Sequence, residues 1–175
     1  VVEKKAVISI ESYLGDRMGR LKFAVKKLSH LAKIIQISSV YELTERAEVS
    51  RSISLGISPG DRWAGGLCVS ISILWNQSPQ ALLSFLQSVE HQTNSTTRCV
   101  DIDLLFFGEM SCISPELTLP HPEMHRRPQI LIPAAEIFGD HVHPVLNESL
   151  RDLTARFQRT KWGQFYSAGH TLLDF

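Results

Sequence analysis

Asp101 and Asp103 stand two residues apart inside an apolar run that alternates from Val100 to Phe107. On a strand that spacing sends both carboxylates to one face, with Cα atoms roughly 7 Å apart. Carboxylates so placed need a neutralising partner, and hard oxygen ligands on a rigid strand suit Mg²⁺ held jointly with substrate phosphates. A bare pair of this kind also describes the solvated outer face of an ordinary strand, so the neighbours decide. Arg98 precedes the pair by three residues, and the later run Pro120-His121-Pro122-Glu123-Met124-His125-Arg126-Arg127 is rich in cations. Guanidinium forks take phosphate oxygens two at a time, and imidazole can donate to them. Together these residues suggest a metal–polyphosphate site. His141 and His143 also share strand-like spacing, but no acidic or cysteine partner stands at ligand spacing nearby, and both read as surface histidines.

The elements that must carry these residues follow from hydrophobic periodicity. Residues 6–12 are apolar and β-branched enough for a strand. After Gly15-Asp16, Met18, Leu21, Val25 and Leu28 recur at helical spacing. Residues 33–41 read as a second strand, and 67–75 as a third with Leu67, Val69, Ile71, Ile73 and Trp75 on one face. Ser78-Pro79 is a helix cap followed by proline at the first helical position, opening a helix over 79–91. The strand over 100–107 places Val100, Ile102, Leu104 and Phe106 on one face, and Asp101, Asp103, Leu105 and Phe107 on the other.

This order predicts an α+β fold: a ferredoxin-like βαββαβ antiparallel sheet with its helices on one face, followed by a C-terminal extension. Residues 115–133 are too punctuated by proline for a long regular element, and 151–159 read as a short helix. Residues 42–66 form a long polar loop. One domain is expected over 1–159, with a tail over 160–175 whose Trp162, Phe165, Tyr166, Leu172, Leu173 and Phe175 either fold back on the core or seat a protein partner.

Composition narrows the classes. With 175 residues, 43% of them apolar and 21% charged, the chain suits a single folded domain. Eighteen basic residues balance eighteen acidic ones, so no long-range positive field exists to hold nucleic acid or an anionic bilayer. Three cysteines without CxxC spacing fit neither a disulfide scaffold nor a zinc site, and no apolar run is long enough to cross a membrane. A cytoplasmic protein is expected. P-loop, GxGxxG and GxSxG patterns are absent, which removes the corresponding nucleotide folds and hydrolases.

The run Arg98-Cys99-Val100-Asp101-Ile102-Asp103-Leu104-Leu105-Phe106-Phe107-Gly108, followed by Leu117-Thr118-Leu119-Pro120-His121-Pro122-Glu123-Met124-His125-Arg126-Arg127, resembles 6-hydroxymethyl-7,8-dihydropterin pyrophosphokinase. The likeness extends from Val7 to about Pro144 and includes Ser38-Ser39-Val40-Tyr41, Ser78-Pro79-Gln80-Ala81-Leu82-Leu83 and Ile132-Pro133-Ala134-Ala135-Glu136-Ile137. It implies the same ferredoxin-like fold and a folate-pathway reaction. ATP, with two Mg²⁺ ions, would give its pyrophosphate to the pterin hydroxymethyl group and leave as AMP. By motif position Asp101 and Asp103 resemble the metal ligands and, with Arg98, the catalytic group. Arg98, His121 and Arg127 resemble phosphate-binding residues, and Gln87 a residue of the nucleotide side.

The acceptor side departs from the family. Glu11-Ser12-Tyr13 replaces a Gly-Ser-Asn turn, Cys68 replaces a pterin-binding asparagine, Gly66 an aromatic residue before it, and Gln129 the aromatic that stacks on the ring. Tyr13, Gly66, Cys68 and Gln129 are thus the positions of a degenerate pterin pocket. The connection over 91–97 lacks the arginines and tryptophan of the family's lid, while the 42–66 loop offers Arg46, Arg51, Arg62 and Trp63 as substitutes. Three readings follow: a pyrophosphokinase with a rebuilt acceptor site, the same chemistry on another acceptor, or an inactive paralogue acting through nucleotide or partner binding.

Overall fold

The computed structural model describes residues 3–44, 65–94 and 99–175. Arg98, residues 95–97 of the 91–97 connection, and the loop residues Arg46, Arg51, Arg62 and Trp63 lie outside the described residues. Strand β1 (Lys4–Ser12) is the centre of the molecule. It pairs antiparallel with β4 (Leu67–Trp75) on one side and with β5 (Val100–Phe107) on the other. Beyond β4 lie β2 (Lys33–Ile37) and β3 (Val40–Leu43), each paired with a different half of β4. With helices α1 (Arg17–Leu31) and α2 (Pro79–Thr93), this is the ferredoxin-like arrangement expected from the element order.

The single strand read over 33–41 is two strands, and Ser38 and Ser39 explain the break. The Ser38 hydroxyl accepts from the Ser70 amide at 2.9 Å, while the Ser39 amide and hydroxyl both donate to Glu136, at 2.9 and 2.8 Å. Serine side chains here take over bonds that a regular ladder would make. The sheet gains a further edge strand, β8 (Gly163–Ser167), from the C-terminal segment; it pairs antiparallel with β3. The turn after it buries Leu172 in the main core. Between β5 and the C-terminal elements, β6 (Cys112–Ile113) and β7 (Thr118–Leu119) form a small antiparallel pair.

Helices α1 and α2 cover one face. Asp16 and Ser78 cap them, accepting from the Gly19 and Ala81 amides, and Leu21, Ala24, Val25, Leu28, Leu82, Leu86 and Val89 join the core made by β1, β4 and β5. The opposite face is also covered. Helix α3 (Pro128–Phe138) arises in a segment that looked too proline-rich for a regular element, and it packs there with α4 (Leu150–Thr154). Pro128 sits at a helix start, where its missing N–H costs nothing, but Pro133 lies inside the helix. An interior proline costs about 3 kcal/mol, while fully burying one large aliphatic side chain contributes roughly 1.5–3 kcal/mol. Burial of Ile130, Leu131 and Ile137 therefore outweighs it.

A register shift between Val7 and Ile8 corrects the expected faces of β5. Val7 pairs with Phe106 and Ile8 with Leu104, so Leu105 is an extra residue. A bulge of this kind inverts the alternation beyond it. Phe106 consequently joins Val7 and Leu105 under α3, and Phe107 joins the main core. The turned Phe106 ring also meets His141, at 4.7 Å between centroids, and His143, at 5.9 Å. These two histidines are not on the surface: His143 is 5% exposed, and the His141 ring stacks on Phe138. Burial pushes both below the usual histidine value.

The outer edge of β5 is closed by side chains from the end of α2. Asn94 accepts from the Cys99 and Val100 amides at 2.7 and 2.9 Å and donates to the Val100 carbonyl at 2.9 Å. Glu90 accepts from the Ile102 amide at 2.6 Å. Among the described residues no helix is long and apolar enough to cross a membrane. Asn94→Ala should strand several backbone groups at once and destabilise the fold by roughly 2 kcal/mol. Urea denaturation would register this as a lower midpoint at unchanged slope; an unaltered midpoint would mean the edge is held by packing alone.

Candidate functional site

Directly paired residues on neighbouring strands point to the same face. The register sets Glu11 between Cys68 on β4 and Asp101 on β5, with Ser9 opposite Asp103. The aspartates therefore lie on the face that α3 covers, not on a solvated one. Asp101 is 6% exposed and Glu11 1%. Three acidic residues thus crowd the ends of two adjacent strands.

The counter-charge arrives from the start of α3. Arg127, immediately before the helix, pairs with the Glu11 carboxylate at 2.7 Å and lies 3.6 Å from an Asp103 oxygen. Burial works against the guanidinium, but Glu11, Tyr13 and the two aspartates more than offset it and raise its pKa above the ordinary arginine value. Tyr13 donates its hydroxyl proton to Glu11. Burial is the largest influence on Glu11 and pushes it up to about 7; Arg127 and the Tyr13 bond pull the other way.

His121 completes the cluster. Its backbone amide donates to the Leu105 carbonyl at 3.0 Å and its Nδ1 accepts from the Glu123 amide at 3.3 Å. That leaves Nε2 facing Asp103, 3.8 Å from a carboxylate oxygen. Asp103 and His121 open together on a cavity of about 230 Å³ at the outer edge of β5, walled by Leu83, Ile102, Leu104 and Leu117. Residues 18 positions apart in sequence, both chosen for phosphate chemistry, thus share one cleft.

Among the described residues no group of three or more His, Cys, Asp or Glu side chains forms a metal cage. Two strand carboxylates, of which Asp103 borders the cleft, instead suit an ion that brings most of its ligands with it, as Mg²⁺ does on a polyphosphate. Asp101 and Asp103 fit that donor set. Gln87 is exposed on α2, one turn along from Leu83.

The acceptor-side candidates divide. Tyr13 and Cys68 are buried in one small cluster with Leu43, against which Leu14, Tyr41 and Trp162 pack. Burial pushes the Cys68 thiol and the Tyr13 phenol well above their usual values. Gly66 is buried and its carbonyl accepts from the Leu43 amide at 2.8 Å. Gln129 lies in the first turn of α3, 2% exposed. In the sequence Glu11 stands out only as the replacement of a glycine; the signal it carries is an acidic residue near the end of a strand whose middle is largely apolar.

A family model described as 7,8-dihydro-6-hydroxymethylpterin-pyrophosphokinase (HPPK) matches residues 7–139. The chain belongs to this family. The match runs from β1 through α3 and leaves α4 and β8 outside it. The 2-amino-4-hydroxy-6-hydroxymethyldihydropteridine pyrophosphokinase of Synechocystis sp. is 30% identical over 145 residues, covering 79% of this chain and 69% of the relative. The Bacillus subtilis protein of the same name is 28% identical, covering 75% and 77%. Folic acid synthesis protein fol1 of Pneumocystis carinii is 29% identical over 85% of this chain, which spans only 20% of that protein. Wild-type HPPK-DHPS from Plasmodium falciparum shares the fold, with a TM-score of 0.66 at 16% identity over 89% of this chain and 45% of its own. This chain thus spans under half the length of these two longer proteins.

For this HPPK-family chain the raised Glu11 value has a consequence for stability. Its folded value, about 7, exceeds the ordinary 4.5, so the folded state binds the proton more tightly than the unfolded chain does. The contribution is complete below pH 4.5 and is lost as pH rises through 7. Its full size is at most about 3 kcal/mol. Urea titrations at pH 5 and pH 8 should show wild-type stability falling more with pH than that of Glu11→Gln; parallel behaviour would mean Glu11 is not held near neutrality.

Proposed function

We propose that this chain is an ATP- and Mg²⁺-dependent pyrophosphokinase of folate biosynthesis, acting on 6-hydroxymethyl-7,8-dihydropterin. The observation that carries the reading is the convergence of Asp103, His121 and Arg127 beside the β5 cleft. In the transfer the acceptor hydroxyl oxygen bonds to the β-phosphorus, the α–β bridging bond breaks, AMP leaves, and the hydroxyl gives up its proton. Mg²⁺, two ions by family resemblance, would neutralise phosphate charge when bound. Asp101 and Asp103 hold the metal side from a strand fixed by β1 on one edge and by Glu90 and Asn94 on the other. His121 Nε2 and the Arg127 fork are donors for phosphate oxygens, and Arg98 and Gln87 are assigned to the nucleotide side by motif position. This chemistry rests on alignment and electrostatic stabilisation, with no covalent enzyme intermediate.

The acceptor half supports a second reading. Cys68 and Gly66 lack the amide and the ring expected at their positions, and Glu11 occupies Arg127 in a buried pair. Removing a stacking face and amide partners weakens a heteroaromatic ligand by several kcal/mol. A chain that binds Mg–ATP but has a different acceptor, or none, has the same donor half.

An AMP-release assay with ATP, Mg²⁺ and the dihydropterin separates them. Asp101→Asn/Asp103→Asn is the control, because carboxylates this buried call for an isosteric replacement. Turnover reduced about a hundredfold or more in the double variant would support the first reading. Mg²⁺-dependent binding of a non-hydrolysable ATP analogue without AMP release, at high enzyme concentration, would support the second. Separately, Asp103→Asn alone should weaken that analogue only when Mg²⁺ is present; equal affinity for wild type and variant would remove the metal assignment.

A further inference from the structure

An aromatic face reaches the acceptor end of the sheet from outside the matched segment. β8 meets β3 at Leu43↔Gly163, and the chain just before it continues the attachment. The Thr44 amide donates to the Trp162 carbonyl at 3.3 Å, and its hydroxyl to the Lys161 carbonyl at 3.0 Å. At the other edge of the same strand, Leu43 donates to the Gly66 carbonyl and accepts from the Gly65 amide, both at 2.8 Å. Trp162 and Gly66 therefore flank one short stretch of β3. The indole packs on the Tyr13–Leu43–Cys68 cluster and leans on the Tyr41 ring, 5.2 Å between centroids and 50° between planes.

Trp162 and Tyr41 are both half-buried, unlike Tyr13 and Cys68 beneath them. An indole packed at an angle and half-covered retains surface on which a ligand can rest. Polar chemistry at another acceptor-side position points the same way. The buried Gln129 Oε1 finds no hydrogen-bond donor among the described residues, a costly state that a ligand N–H would relieve. Flat heteroaromatic ligands are held by contact with an aromatic face and by hydrogen bonds at their edge.

We propose that Trp162 is the ring-stacking residue of the acceptor site, supplying from just before the C-terminal strand the face that Gly66 and Gln129 do not. The proposal rests on the pterin reading above. Trp162 is thus a binding residue for the acceptor, remote from the nucleotide cleft walled by Leu83 and Leu117.

Isothermal titration of 6-hydroxymethyl-7,8-dihydropterin into protein saturated with Mg²⁺ and a non-hydrolysable ATP analogue tests it, using Trp162→Ala and Trp162→Phe. Loss of one stacked aromatic face should weaken pterin binding about tenfold or more in the alanine variant and less in phenylalanine, with analogue affinity retained in both. Steady-state kinetics should show the pterin KM rising more than kcat falls. Equal or tighter pterin binding by Trp162→Ala would overturn the proposal and leave the pyrophosphokinase reading intact. Loss of analogue and pterin binding together, not restored by phenylalanine, would make Trp162 a structural residue and overturn it too. Wild-type protein that binds analogue but no pterin would overturn both.

Discussion

Carboxylates gathered at the ends of two buried strands must be balanced, and Arg127 balances them. Because β1 is paired on both sides, Glu11 cannot turn away from Asp101 without breaking the central ladder. Removing a partner from a buried ion pair leaves an uncompensated charge, a penalty of about 3–5 kcal/mol in comparable sites. The pair therefore fixes where α3 starts, and through α3 it fixes the cover over one face of the sheet. Glu136, two turns further along the helix, accepts from Ser39 and, at 2.8 Å, from the Tyr41 hydroxyl, tying that cover to β3. Burial, then this bond, push Tyr41 up to about 12 and keep it a donor.

The same arrangement divides the site into halves of different character. On the side proposed for the nucleotide, the Asp103 carboxylate and the His121 imidazole border a cleft, and a polyphosphate with its metal would meet groups already aimed by the backbone. At the positions proposed for the acceptor, Glu11, Tyr13 and Cys68 are sealed, and among the described residues Tyr41 and Trp162 leave half-buried aromatic surface beside them. Buried polar groups hold one geometry strongly but leave little room for an edge-on ligand.

What could be read from the chain alone was whatever depends on neighbours in sequence. The clean alternation of 67–75 became β4, and the Ser78-Pro79 signal opened α2, which runs to Thr93, two residues past its expected end. The spacing of Asp101 and Asp103 put both on one face because strand geometry requires it. The family motif could be recognised for the same reason: its residues lie in two short runs.

Tertiary structure decided whatever depends on contacts between distant segments. Polar residues on alternate positions of β1, β4 and β5 resemble a solvated face until a helix from another part of the chain covers them. The inversion of Phe106 and Phe107 follows from a mismatch between two strands that neither strand contains by itself. His141 and His143 are buried because that inversion gives them an aromatic neighbour. Glu11 needed Arg127, and Trp162 needed β3, each more than 100 residues away in sequence. Periodicity records which side of an element a residue faces; only the packed chain determines what stands on that side, since burial, charge balance and ring contact are properties of pairs of segments.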